Sequence, residues 1–402
     1  MSDGLLIQNI EPGFFYREYY TSVEKSSHLE WIKKEGNNIY LYRRAWSSFQ
    51  TDNAKIEKYI PKHTPAKQLT KDLSKTNFNS LAALTNPEMT ESCSSLSVSK
   101  DGKILLSTVH NRIYLWSVSD KKLIREIKTN YDGPVYAEIA PDGNSLGYTT
   151  SSEFVQMNLM GKRVSSFKYV SQKKLHGSCT KFTFAPDGES IAIPKGYSLF
   201  LPGSYWISFR TLDGKQSRGS FVGAFDSLRK FEIIRNLRLS PDGRFAITET
   251  AYSMAEMEFT HIRPLGKNRK NYININFPRS NIAYSPDGKT YAICSTIDYN
   301  RFGYGISDDE INIYSVNDRN FVPLKKIKPI QFGAITSLTF SPDGKFLAIG
   351  SVKGDVRFYG VGGEKLGSYS AHDDRVVNLI FTPDGKHLIS QSRDNSINIL
   401  SK

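Results

Sequence analysis

Residues 334–359, Ala-Ile-Thr-Ser-Leu-Thr-Phe-Ser-Pro-Asp-Gly-Lys-Phe-Leu-Ala-Ile-Gly-Ser-Val-Lys-Gly-Asp-Val-Arg-Phe-Tyr, decide the fold. Ile335, Ser337 and Thr339 alternate with Thr336, Leu338 and Phe340, the period of two that marks a strand. Ser341-Pro342-Asp343-Gly344 follows as a turn. Proline presets its own φ, aspartate bonds the backbone ahead, and glycine tolerates positive φ. Phe346 to Ile349 is a second apolar run, Val352-Lys353-Gly354-Asp355 breaks it, and Val356 to Tyr359 begins a third strand.

The same turn returns at Asp101-Gly102, Asp142-Gly143, Asp187-Gly188, Asp242-Gly243, Asp287-Gly288 and Asp384-Gly385. Adjacent turns are 41 to 56 residues apart, and all but the first have proline before the aspartate. Such a period, with several strands per unit, is the signature of propeller blades. Each blade buries its faces against its neighbours, so no unit is stable alone.

The last unit carries Ala371-His372 before its first strand, Thr382-Pro383-Asp384-Gly385 as its turn, and Ser392-Arg393-Asp394 before Ile397 to Leu400. In these residues the chain resembles the WD40 family over residues 77–402. That family's repeats place a His, a Ser or Thr, an Asp and a Trp in a buried hydrogen-bonded set. His372 and Asp394 fit it, while Leu400 stands at the Trp position. In the first unit Trp116 fits, but His110 takes the Asp position; Tyr314 and Tyr359 replace Trp in units five and six. The resemblance implies an all-β, seven-bladed WD40-type β-propeller with degenerate repeats. Fold alone does not imply function.

The chain has 402 residues and a formal net charge of +13. One propeller at residues 76–402 accounts for most of it, leaving residues 1–75 as an aromatic-rich appendage and linker. No run of 18 apolar residues marks a membrane span, and the N-terminus lacks the basic start and apolar core of a secretory signal. Cys93, Cys179 and Cys294 are scattered, a usage that suits reduced thiols in the cytoplasm rather than a disulfide framework. Within residues 1–75, Phe14 to Tyr20 and Ile39 to Trp46 read as strands, and Ser22 to Lys34 reads as a helix stopped by Gly36, making a small α+β appendage. Its many aromatic residues favour a docked cap over a free tail. The stretch 47–76 reads as a linker or short helix.

The last unit ends at Lys402, after only three strands. Its fourth must come from the N-terminal side, so that no sheet edge stays open. Ser80 to Leu84 is the first choice and Ile39 to Ala45 the second.

No Gly-x-Ser-x-Gly elbow, His-Glu-x-x-His or Cys-x-x-Cys pair occurs, so no catalytic residue, metal ligand or cofactor is assigned. Gly360-Val361-Gly362-Gly363 reads as a hairpin turn rather than a dinucleotide loop. The candidate binding residues are basic and aromatic positions on long loops: Lys173, Lys174, His176, Arg229, Lys230, Arg301, Tyr304 and Arg375. Further basic runs, Lys162-Arg163 and Lys267-Asn268-Arg269-Lys270, sit on hairpins at the opposite face. The expectation is a non-catalytic platform for a protein or peptide partner. Two alternatives stand beside it. One is an anion-binding module for nucleic acid or an acidic lipid surface, such as a phosphoinositide, using the basic loops. The other is a propeller hydrolase or lyase, which needs a polar constellation in the central channel.

Overall fold

The computed structural model describes residues 14–19, 28–35, 38–44, 71–72, 76, 78–84, 95–169, 181–195, 204–224, 232–252, 258–265, 273–278, 280–295, 310–316, 322–329 and 334–402. The chain divides into two compact units, Met1–Gln68 and Leu69–Lys402.

Among the described residues, the first unit holds an antiparallel three-stranded meander of Phe14–Tyr19, His28–Glu35 and Asn38–Arg44. This corrects the helix expected over Ser22 to Lys34: residues 28–34 are extended, and the appendage is β rather than α+β where it is described. Pairing on both sides decides against the helix. Trp31 lies opposite Tyr16 and Tyr42, and Ile32 opposite Phe15 and Leu41. Glu35 pairs with Asn38, so only Gly36 and Asn37 separate the strands.

Among the described residues, the second unit holds seven sheets of four or five antiparallel strands. We number them as blades 1 to 7 by their innermost strands: Ser95–Val98, Tyr136–Ile139, Thr183–Phe184, Glu232–Leu239, Ser280–Tyr284, Ile335–Phe340 and Val376–Phe381. Each begins a meander from the ring's centre to its rim. Phe346–Ser351, Asp355–Gly360 and Lys365–Ser370 complete blade 6, the three-strand pattern of the sequence extended by one.

The Asp-Gly turns form as their chemistry dictates. Ser341 Oγ donates to Asp343 Oδ1 at 2.6 Å, the Lys345 amide donates to the same oxygen at 3.1 Å, and the Gly344 amide donates to the Ser341 carbonyl at 2.8 Å. Gly344 has φ +70°, which favours glycine. The same bonding from a hydroxyl recurs at Ser99, Ser240, Ser285 and Thr382.

The ring closes as the missing strand requires. Ser80–Leu84 pairs with Ile397–Ser401, with Leu84 opposite Ile397. Hydrophobic clusters span every pair of consecutive blades. Leu84 with Ile389 and Ile399 packs on Leu105, Tyr114 and Trp116 across the closure. Ile349 and Tyr359 of blade 6 meet Ile311 and Ile313 of blade 5. Phe78 fills the junction of blades 6 and 7, stacked on Phe358 at 5.4 Å. The stretch expected to be a linker supplies a further strand: Lys71–Asp72 pairs with Tyr369 and Ser368, giving blade 6 a fifth.

The degenerate repeat sets are only partly wired. Trp116 Nε1 donates to Ser107 Oγ at 2.9 Å in blade 1. In blade 7, His372 Nε2 meets Ser390 Oγ at 2.8 Å and Nδ1 meets Ser396 Oγ at 2.5 Å. Burial holds the His372 imidazole neutral, well below the usual histidine range, against the pull of Asp394. It is a structural histidine. Tyr314 and Tyr359 are buried at the Trp position, where the ring matters more than the indole N–H.

Candidate functional site

The innermost strand of a blade has one edge with no strand partner, and its backbone groups need bonds from elsewhere. Neighbouring blades supply them through side chains. The Ala137 and Ile139 amides of blade 2 donate to Ser95 and Ser97 Oγ of blade 1 at 3.2 and 3.1 Å. The Phe184 amide of blade 3 donates to Glu138 Oε2 of blade 2 at 3.4 Å. Arg238 Nη1 donates to the Ile282 carbonyl at 3.4 Å, Asn281 Nδ2 to the Ile335 carbonyl at 3.2 Å, and Thr336 Oγ1 to the Val376 carbonyl at 2.6 Å. Polar side chains thus join the inner strands at five of the seven blade junctions among the described residues and wall a central channel.

That channel is a cavity of about 770 Å³. Its wall carries Lys181, Arg238, Arg375 and Arg393 as cations and Glu138 and Glu249 as carboxylates, with Asn236, Asn281 and Asn378 between them. Glu249 accepts from Asn236 Nδ2 at 3.1 Å. Glu138 Oε1 accepts from the Tyr136 hydroxyl at 2.7 Å. Lys181 Nζ stands 5.8 Å from the Tyr136 ring centroid, within cation–π reach. Glu138 keeps some surface open to the channel but is enclosed deep in the ring. This burial pushes its carboxyl up to about 7, against the bonds from Tyr136 and Phe184 and the charge of Arg238. At neutral pH the wall is therefore net cationic.

Of the candidate binding residues, Arg375 is described and lines the channel, just ahead of the inner strand of blade 7. Its amide donates to Asp374 Oδ1 at 2.6 Å and its carbonyl accepts from the Arg393 amide at 3.0 Å. Lys173, Lys174, His176, Arg229, Lys230, Arg301 and Tyr304 lie outside the described residues. Glu310, just ahead of the strand Ile311–Ser315, is held by Lys326 and Lys328 at 3.2 and 3.3 Å.

The channel residues were missed because they sit on or beside the ends of short and regular strands, not on long loops. A positional signal was present. Ser95, Tyr136, Lys181, Asn236, Asn281 and Asn378 each stand six residues before a turn aspartate, and Glu138 and Arg238 stand four before. Polar residues at one repeat position of a strand facing a ring's centre mark the channel wall. Among the described residues no cluster of three His, Cys, Asp or Glu side chains is placed to hold a metal ion. No helix among them is long and apolar enough to cross a membrane.

Comparison with known proteins agrees with this geometry. A family model for the WD domain, G-beta repeat, matches residues 324–359 and 363–400. These are the outer strand of blade 5 with most of blade 6, and the end of blade 6 with blade 7. The WD repeat-containing protein 1-B of Xenopus laevis is 30% identical over 92 residues, covering 22% of this chain and 15% of that protein. The WD repeat-containing protein 1 of Xenopus tropicalis is 29% identical over 89 residues, covering 22% and 14%. The Periodic tryptophan protein 2 of Saccharomyces cerevisiae is 26% identical over 137 residues, covering 33% and 14%. The matches thus span about 15% of the length of these relatives.

Proposed function

We propose that this chain, a member of the WD40-repeat family, is a non-catalytic platform that engages a protein or peptide partner over the mouth of its central channel. The supporting observation is the channel wall, where four cations from blades 3, 4 and 7 converge on one cavity, suited to the carboxylates and carbonyl oxygens of a peptide. The two carboxylates of the wall are engaged: Glu249 by Asn236, and Glu138 by Tyr136 and the next blade. That bonding favours an architectural role for them over the acid–base pair a hydrolase or lyase needs. In this reading residues 1–68 are an appendage to a propeller at 69–402, and the protein works in the cytoplasm.

The test compares the partners co-purified from the native cell by the wild type and by Arg375→Glu with Arg393→Glu. The reading expects at least one specific partner to be lost from the variant, with the melting temperature retained. An unchanged set of partners overturns the channel mouth as the docking site.

A further inference from the structure

The large hydrophobic side chains that are exposed among the described residues fall in two patches. The first joins blades 1 and 2. Leu123 and Ile124 of the outer strand Lys122–Lys128 are 39% and 52% exposed, and Met160 and Val164 of blade 2 are 67% and 61% exposed. The two blades touch here: Arg125 Nη2 lies 3.5 Å from Met160 Sδ, and a Cβ on Gly161 would stand 3.6 Å from Ile127. Ile124 and Val164 are both bulge residues, left without a partner where the register shifts opposite them. A bulge breaks the ladder and re-aims one side chain. Lys121, Lys122, Arg125, Lys162 and Arg163 are interspersed with the apolar positions.

The second patch joins blades 5 and 6 in the same manner. Val322 and Leu324 are 62% and 63% exposed, and Val361 is 38% exposed in the turn of blade 6. A Cβ on Gly363 of that turn would meet Lys325 Cε at 3.0 Å and Ile327 at 3.9 Å. Lys325 and Lys365 flank it.

Both patches belong to one face. The Val118 amide donates to the Lys103 carbonyl at 2.9 Å, and the Val361 amide to the Lys345 carbonyl at 3.1 Å. The turn leading to each outer strand therefore lies beside the Asp-Gly turn of its blade. Those turns contact one another around the ring: a Cβ on Gly102 would meet Thr382 at 3.4 Å, and one on Gly188 would meet Pro141 at 3.5 Å. In a ring of seven sheets, the junction of blades 1 and 2 stands nearly opposite that of blades 5 and 6.

We propose that this face docks on an anionic lipid bilayer, both patches setting their aliphatic side chains among the headgroups while the flanking lysines meet the lipid charge. The surface is separate from the channel wall and goes beyond the platform reading. Three observations favour a bilayer over a protein. The fringe is mostly lysine and none of the exposed apolar residues is aromatic, whereas protein interfaces are depleted in lysine and rich in aromatic residues. Two patches on opposite sides of one face suit an extended plane. The chain's charge of +13 complements an anionic surface.

The full chain would be sedimented with phosphatidylcholine vesicles and with vesicles holding about one-third phosphatidylserine, attractive at roughly fivefold in affinity per lysine. The expected result is binding to the anionic vesicles alone, weakened at high salt. Lys122→Gln with Lys162→Gln then lowers affinity on the order of 25-fold. Ile124→Ser with Val164→Ser, and separately Leu324→Ser, each lower it at least about fivefold, as loss of buried apolar area requires. Melting curves check folding, and the two serine variants lie in different patches, so a folding defect in one leaves the other to decide. Absence of binding to anionic vesicles overturns the proposal. So does undiminished binding by the serine variants, which reduces the interaction to diffuse charge.

Discussion

Replacing Glu138 with glutamine should stabilise the protein at alkaline pH and leave it unchanged in acid. The carboxyl is raised from the ordinary 4.5 to about 7, with burial as the main cause. Below pH 4.5 it is protonated in both folded and unfolded chains, and no penalty exists. Between 4.5 and 7 the unfolded chain releases its proton while the folded one keeps it, so stability falls as pH rises through the folded value. Above pH 7 the folded protein carries a charge at the channel wall at a full cost of about 3 kcal/mol. Water in the channel screens part of this, because Glu138 is only partly covered, and we expect about 1–3 kcal/mol. Glu138→Gln keeps one oxygen to accept from the Phe184 amide, its Nε2–H donates to a Tyr136 hydroxyl that reverses its role, and it never ionises. Urea denaturation of both proteins from pH 4.5 to 8.5 gives the difference directly. It should be near zero at the acid end, grow through neutrality and level off above pH 7.5. A flat difference, or a variant weaker at pH 8, would refute the burial argument.

Removing residues 1–90 strips Ser80–Leu84 from Ile397–Ser401 and takes Phe78 and Leu84 from the core; the remaining chain should aggregate or melt without cooperativity, and a cooperative transition at the full-length temperature sinks this account of ring closure. Gly354→Ala places a Cβ 2.0 Å from the His372 carbonyl at φ +85°, so it should cost about 3 kcal/mol or more in chemical denaturation; a loss below 1 kcal/mol by that measure counts against the close approach. His372 is buried neutral with its proton affinity depressed. The unfolded chain therefore binds a proton first as pH falls below about 6.5, and wild-type stability should decline from there into acid. His372→Gln should be weaker at neutral pH yet lose that slope, and an unchanged slope in the variant's denaturation profile assigns the acid sensitivity elsewhere.

Much of the propeller was legible because its information is local. Ser341-Pro342-Asp343-Gly344 makes its turn from its own side chains, and the alternation of Ile335 to Phe340 sets one face of a strand whatever lies beyond it. Even the closing strand followed from counting: three strands in the last unit demand a fourth, and Ser80–Leu84 stands where one was needed. His28 to Lys34 misled because its apolar spacing suits a helix as well as a strand; only Phe15, Tyr16, Leu41 and Tyr42 opposite it resolve the choice. Lys71–Asp72 carried no signal of its own, since two residues become a strand only when the edge of Lys365–Ser370 is there to bond them. The channel was the larger gap. Glu138, Lys181 and Arg238 lie far apart in sequence, each an ordinary polar residue on or just ahead of an innermost strand. The sequence determined the repeating unit, because turn chemistry and strand periodicity act over a few residues. The tertiary structure alone decided which polar residues share a cavity and what its enclosure does to the Glu138 carboxyl, because closing a ring brings every innermost strand to one axis and desolvation depends on that enclosure.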